Sequence, residues 1–194
     1  MKLYYAPLAC SLADHIALRE AGFDPALERV DLRTHRTETG ADFRVVSPKG
    51  YVPALILDDG EMITENVAVL DWIAGQAPVL VVERPMGRTR VLEALTYITT
   101  EIHRAFKPFW HGGGAEERAR AGATVTQLLY PLAQDLQSDY LFGDRPSVAD
   151  FYLFVMLLWA ERFEIEVPVA LAGLRDRIRA RPAARAAMEV EGLL

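Results

Sequence analysis

The hydrophobic period changes once along this 194-residue chain, and that change limits the folds open to it. Before residue 77 short two-residue alternation trades places with three- and four-residue steps. After residue 85 only the helical step remains. Leu3 to Tyr5 and Leu27 to Leu32 read as strands, with a helix over Ser11 to Ala21 between them, closed by Gly22. Asp42 to Val46 suits one helical turn and 47–50 a loop. Ala54 to Leu57 and Met62 to Thr64 flank Asp58-Asp59-Gly60, a hairpin signal, and Glu65 to Gln76 is helical, with Val69, Trp72 and Ile73 on its apolar side. The order β-α-β-α-β-β-α predicts a small mixed α/β sheet with helices packed on it.

Ala77 to Pro85 carries two prolines and no helical face, and reads as a linker. Beyond it Met86 to His111 places Leu92, Leu95, Ile98, Ile102, Phe106 and Phe109 on one stripe, ended by Gly112-Gly113-Gly114. Glu116 to Asp139 repeats the pattern through Val125, Leu128, Leu129, Leu132 and Leu136. Pro108 and Pro131 are expected to kink these helices, since each stripe continues past its proline. Ser147-Val148-Ala149-Asp150 has the form of a capping box ahead of the apolar run Phe151 to Ala160. Two shorter helices, Ala170 to Ala180 and Pro182 to Glu189, follow. The expected domains are therefore 1–76, a linker 77–85, and an all-α bundle over 86–194.

A net charge of −6, with no basic run, argues against a nucleic-acid partner. Half of the composition is apolar, ample for a packed core. The ten residues 151–160 are half of what a membrane span needs, and Glu161-Arg162 close them. One cysteine, Cys10, excludes an intramolecular disulfide framework and fits a reducing compartment. With no secretory pattern at the start, a soluble cytoplasmic protein is expected.

Cys10 sits where the first strand hands over to the first helix. The positive end of a helix dipole favours a thiolate there. A small inert apolar side chain fits the same position. With no second cysteine, any disulfide must involve another molecule or another copy of the chain.

Cys10-Ser11 at a helix start, Gly50-Tyr51-Val52-Pro53-Ala54-Leu55, Asp59-Gly60, Thr64-Glu65-Asn66-Val67-Ala68, Glu101-Ile102-His103-Arg104, the Ser147 to Asp150 box and Arg181-Pro182-Ala183 occur in an order that resembles the glutathione S-transferase family, nearest to its bacterial beta class. The resemblance covers essentially the whole chain. It implies a thioredoxin-like N-terminal domain, a helical C-terminal domain, a homodimer and a glutathione site between the domains. It also implies that Val52 offers its backbone to glutathione as an added strand would, and that Pro53 is cis. Glu65 and Asn66 would receive the γ-glutamyl end at a helix N-terminus, with Asn66 standing where the family usually has Ser or Thr.

Further positions carry over one by one. His35 replaces a frequent Lys near the glycyl carboxylate, which makes binding there weaker and pH-dependent. His103 would line the active site, and Arg104 stands in for a Lys beside it. Thr100 and Glu101 would reach glutathione in the other subunit. Thr96 matches a site often held by Asn and reads better as a polar helix flank. Leu8 and Asp14 replace a common Gly and Pro around Cys10, and the charge of Asp14 opposes activation of the thiol.

The function implied is conjugation of reduced glutathione, as co-substrate, to small hydrophobic electrophiles in detoxification, without a metal or a membrane partner. Cys10, Ser11 and His103 are the catalytic candidates near the glutathione sulfur. Phe106, Phe109, Trp110 and Tyr152 are candidates to line the electrophile pocket. Two alternatives stand beside it: glutathione-dependent thiol-disulfide or peroxide reduction through Cys10, and a non-catalytic interaction protein on the same scaffold.

Overall fold

The computed structural model describes residues 1–136 and 138–194. Its packing divides into two units, Met1–Leu80 with Arg181–Leu194, and Val81–Ala180. The C-terminal segment thus groups with the first 80 residues, which departs from the limit expected at residue 86.

In the first unit β1 (Lys2–Tyr5), β2 (Ala26–Asp31), β3 (Arg36–Thr37), β4 (Ala54–Ile56) and β5 (Met62–Thr64) form one sheet in the order β3-β2-β1-β4-β5. β1 and β2 are parallel, joined through α1 (Ser11–Glu20), as a β-α-β crossover requires. β4 runs antiparallel to β1 and forms a hairpin with β5. Gly60 takes φ +89° in that hairpin turn, a conformation that disfavours any side chain. The two-residue β3 pairs antiparallel with β2 and was not expected: two residues are too few to show a period. This is the thioredoxin-like arrangement.

Alternation along β1 sends Tyr4 to a cluster with Val30, Phe43 and Ala54, where the short helix α2 (Phe43–Val46) packs. Helices α1 and α3 (Asn66–Gln76) pack on each other. The last helix, α9 (Pro182–Val190), packs on α1. Polar contacts fix it there: Arg181 makes a two-pronged pair with Glu20, and Glu191 reaches His15 at 3.0 Å. These contacts are the physical reason why the chain's last residues belong to the first unit.

The second unit is helical. The single helix expected over 86–111 is three pieces: α4 (Gly87–Tyr97), a π-helical stretch Ile98–His103, and α5 (Lys107–Trp110). Pro108, in the first turn of α5, cannot donate to the preceding turn, so the chain restarts there rather than bending. The helix expected over 116–139 is α6 (Ala115–Asp135), which carries Pro131 inside it. Of the expected extension, residue 137 lies outside the described residues. α7 (Val148–Arg162) buries every residue from Val148 to Ala160, and α8 (Val169–Arg179) packs against it. At the head of α7 the Asp150 carboxylate accepts from the Ser147 N–H and hydroxyl and from the Leu141 N–H, at 2.7–2.8 Å. Among the described residues no helix is long and apolar enough to cross a membrane.

Candidate active site

Loop 49–53 gathers most of the first unit's candidates. The Cys10 thiol donates to the Val52 carbonyl at 3.6 Å, and the Val52–Pro53 peptide is cis, as the resemblance implies. Asn66 donates its amide to the Cys10 carbonyl at 3.3 Å, tying the head of α3 to the start of α1. The His35 ring sits over Gly50 and donates from Nδ1 to the Gly50 carbonyl at 2.9 Å. Gly50 itself has φ +73°, and a Cβ there would come within 3.2 Å of the His35 ring. Glu65 caps α3 with φ +72° and is held by Lys49 and by the Tyr51 hydroxyl at 3.1 Å. The Lys49 ammonium, assisted by Tyr51, keeps the Glu65 carboxyl below its usual range against the cost of burial. Lys49 and Tyr51, which hold the candidate Glu65, were not among the expected residues. Their only signal in the sequence was their place beside Val52-Pro53.

Two expectations about side chains change here. The Ser11 hydroxyl is fully buried and turned back on the loop before it: it accepts from the Ala6 N–H at 3.2 Å and donates to the Ala6 carbonyl at 3.5 Å. It therefore closes the 6–11 turn in this state. The Cys10 thiol is not activated by its helix. Burial, then the nearby Asp14 carboxylate, push it up to about 12, outweighing the backbone N–H groups of Ser11 and Cys10. The opposing charge of Asp14 was expected from the sequence; desolvation, the larger cause, was not, and together they exceed the dipole.

Leu8 takes φ +58°, the strain expected where the family usually has Gly. Its N–H donates to Glu191 Oε2 at 3.2 Å. Arg19 Nε donates to His15 Nε2 at 2.9 Å, so the His15 proton sits on Nδ1 and points at Glu191 Oε1. Burial raises the Glu191 carboxyl above its usual range despite these donors.

In the second unit His103 closes the π-helical stretch, a distortion frequent at functional sites. Its Nδ1 lies 2.7 Å from the Tyr152 hydroxyl, and its ring meets the Trp159 ring edge-on at 4.9 Å. Burial drives His103 down to about 4, so the ring is neutral at pH 7. Thr96, Thr100, Glu101 and Arg104 are exposed, and the Thr100 hydroxyl donates to the Thr96 carbonyl at 3.0 Å. The expected electrophile-pocket aromatics split. Phe106 and Tyr152 are core residues, Phe109 stacks on Phe163 at 4.7 Å, and Trp110 is 41% exposed under the Arg162 guanidinium. Their helical spacing is the spacing of a core, which is why sequence could not separate the two roles. Among the described residues no group of three His, Cys, Asp or Glu side chains is placed to hold a metal.

A thioredoxin-like unit carrying a helix-start cysteine, a cis-proline strand and an acidic helix cap, in one chain with a helical unit, defines a class that comparison with known proteins makes explicit. The glutathione S-transferase N-terminal domain model matches residues 9–76 and the C-terminal domain model residues 93–182. The chain belongs to the glutathione S-transferase family. It is 39% identical to glutathione S-transferase GstA of Escherichia coli O157:H7 over the full length of both. The structure of a sphingomonad glutathione S-transferase complexed with glutathione is 43% identical, covers all of both chains and superposes with a TM-score of 0.91. That of the beta-class enzyme from Sphingomonas chungbukensis is 41% identical, with the same coverage and a TM-score of 0.89.

Proposed function

We propose that this protein conjugates reduced glutathione to small hydrophobic electrophiles, as a cytoplasmic homodimer serving detoxification. The observation that carries this reading is the convergence of Cys10, Val52, cis-Pro53, Glu65 and Asn66 about loop 49–53, in a chain similar over its whole length to a structure complexed with glutathione. Val52 would pair with the peptide backbone of glutathione. Glu65, ionised and braced by Lys49, would accept from the α-ammonium group, and the N–H groups at the head of α3 would receive the γ-glutamyl carboxylate. His35, fixed on Gly50, would leave Nε2 for the glycyl carboxylate. His103, neutral and oriented by Tyr152, would offer Nε2 to the sulfur, lowering the cost of its thiolate. Thr100, Glu101 and Arg104, exposed on the second unit, are the candidates to reach the other subunit's glutathione.

Calorimetric titration with reduced glutathione, followed by conjugation of 1-chloro-2,4-dinitrobenzene, tests this. One saturable site per chain with turnover is the expected result. No binding at millimolar glutathione would sink it and favour an interaction protein.

A second reading has its own observation: Cys10 is the sole cysteine and its sulfur faces the Val52 carbonyl, where the cysteinyl part of glutathione would pair. Cys10 would then exchange with glutathione-bearing disulfides. Cys10→Ala would abolish that exchange.

A further inference from the structure

Residues 6–9 form a β-turn whose sequence argues against its shape. The Ala9 N–H donates to the Ala6 carbonyl at 3.0 Å, Pro7 holds the second position with its fixed negative φ, and Leu8 takes φ +58° at the third. A turn with negative and then positive φ at its central residues is type II, which favours Gly or Asn where Leu8 stands. A leucine there gives up its ordinary backbone conformation for the left-handed one. Turning the Pro7–Leu8 peptide over would give a type I turn, which closes with the same bond between its ends and suits leucine. The strained form therefore needs a partner that the relaxed form would lose.

Glu191 is such a partner. The two turn forms differ in where the central N–H points, and the Leu8 N–H donates to Glu191 Oε2 at 3.2 Å. The Glu191 side chain is fully buried, and its other oxygen, Oε1, lies 3.0 Å from His15 Nδ1. That nitrogen carries the ring's proton, because Arg19 Nε donates to Nε2 at 2.9 Å. Both oxygens thus face N–H donors, one from the turn and one from α1. A carboxylate meets that demand. An amide of the same shape cannot, since it accepts on one side and donates on the other. At the first residue of the turn the Ser11 hydroxyl accepts from the Ala6 N–H and donates to its carbonyl. Cys10 follows the last residue, with its thiol on the Val52 carbonyl at 3.6 Å. The turn is thus tied at its start to α1 and at its middle to the C-terminal segment.

We propose that Glu191 is a positioning residue of the glutathione site: it holds the turn before Cys10 in its strained form, and so fixes where the Cys10 thiol stands against Val52. The proposal rests on the reading of Val52 and Cys10 as the place where the cysteinyl part of glutathione pairs. Without the carboxylate the Pro7–Leu8 peptide turns over and the turn populates both forms. Glutathione then meets a competent site in only a fraction of the molecules, and its apparent affinity falls by that fraction. The residue acts through Leu8 and touches neither glutathione nor its sulfur.

The test compares the wild type, Glu191→Gln, Leu8→Gly and the double variant by two readouts. One is KM for glutathione in conjugation of 1-chloro-2,4-dinitrobenzene. The other is the rate of Cys10 alkylation by iodoacetamide at pH 8, with Cys10→Ser as blank. Glu191→Gln should raise the glutathione KM about three- to tenfold and leave kcat per folded chain within about twofold, because saturating glutathione draws the turn back to its competent form. Its Cys10 should alkylate at least about threefold faster, since a loosened turn admits water to the thiol and favours the ionised form. Leu8→Gly removes the strain, so the double variant should return to within about twofold of Leu8→Gly alone in both readouts. A Glu191→Gln equal to the wild type overturns the proposal. So does a loss of equal size in the Leu8→Gly background, which would make Glu191 only a part of the α9 packing. Should Glu191→Gln fail to fold by circular dichroism, hydrogen exchange at the Leu8 amide of the wild type decides. Slowing by about a hundredfold or more that deepens with saturating glutathione upholds the proposal, and free exchange or no response to glutathione overturns it. A wild type without measurable glutathione binding overturns the proposed function, and the alkylation rates, which need no glutathione, then decide this proposal by themselves.

Discussion

His103 should make this protein acid-labile, by an amount that follows from its burial. Its ring falls from an ordinary value of 6.5 in the unfolded chain to about 4 in the fold, because burial penalises the imidazolium. For a base with a lowered folded pKa the stabilisation is complete above 6.5 and is lost as pH falls towards 4, since the unfolded chain takes up the proton first. The full shift corresponds to about 3 kcal/mol, and between pH 7 and pH 5 the linkage relation gives a loss of about 2 kcal/mol. His103→Gln keeps a polar group opposite the Tyr152 hydroxyl but cannot titrate. Urea unfolding of both proteins at pH 7 and pH 5, at one fixed chain concentration, isolates the difference. The wild type should lose about 2 kcal/mol more than the variant over that interval. The other shifted buried groups, Asp14, Asp150 and Glu191, have carboxyls raised by burial. They act in the opposite direction and are common to both proteins, so they cancel in the comparison. Parallel losses, within about 0.5 kcal/mol, would refute burial as the cause of the His103 shift.

Three more outcomes follow. Asp150→Ala leaves the buried Ser147 N–H and the half-buried Leu141 N–H unpaired and should cost about 3 kcal/mol, read as a fall in urea midpoint at unchanged slope. Gly50→Ala forces a side chain into φ +73° and against the His35 ring; it should cost about 1–2 kcal/mol and displace the His35 imidazole signals in a proton–nitrogen NMR spectrum. Lys49→Met removes the main support of the Glu65 carboxylate and should weaken glutathione binding by calorimetry about three- to tenfold, whereas Lys49→Arg should retain most of it.

Much of the fold was legible because its signals are local. The period change, the hairpin at Asp58-Asp59-Gly60 and the box at Ser147 each lie within a few residues of the structure they specify. The strand β3 was not legible, because two residues carry no alternation. Nor was the break before Pro108: a stripe of apolar side chains persists across a π-helical stretch and a restart, so periodicity alone shows one helix. The candidate site's backbone was legible where residue type encodes it, as at the cis Val52–Pro53 peptide and the helix start at Glu65. The site was not legible where a side chain answers to burial or to a contact that no spacing rule encodes. The Cys10 position offered a helix-start thiolate opposed by Asp14, yet burial is the larger cause that reverses the sign. Ser11 offered a hydroxyl to the substrate, yet Ala6 engages it. Glu191 supports the Leu8 backbone from 183 residues away, and no spacing rule connects the two.

The division of the packing also sets an order of events during synthesis. Residues 81–180 interrupt the first unit, whose α1 is covered by a segment that emerges from the ribosome only after that hundred-residue insert. At ordinary elongation rates of about 5–20 residues per second, the nascent sheet waits some 5–20 seconds with His15 lacking Glu191 and the α9-facing side of α1 bare. The helical insert can complete its own core in that interval. The cysteine-bearing turn, held at Leu8 by Glu191, is therefore among the last features of the protein to acquire its mature shape.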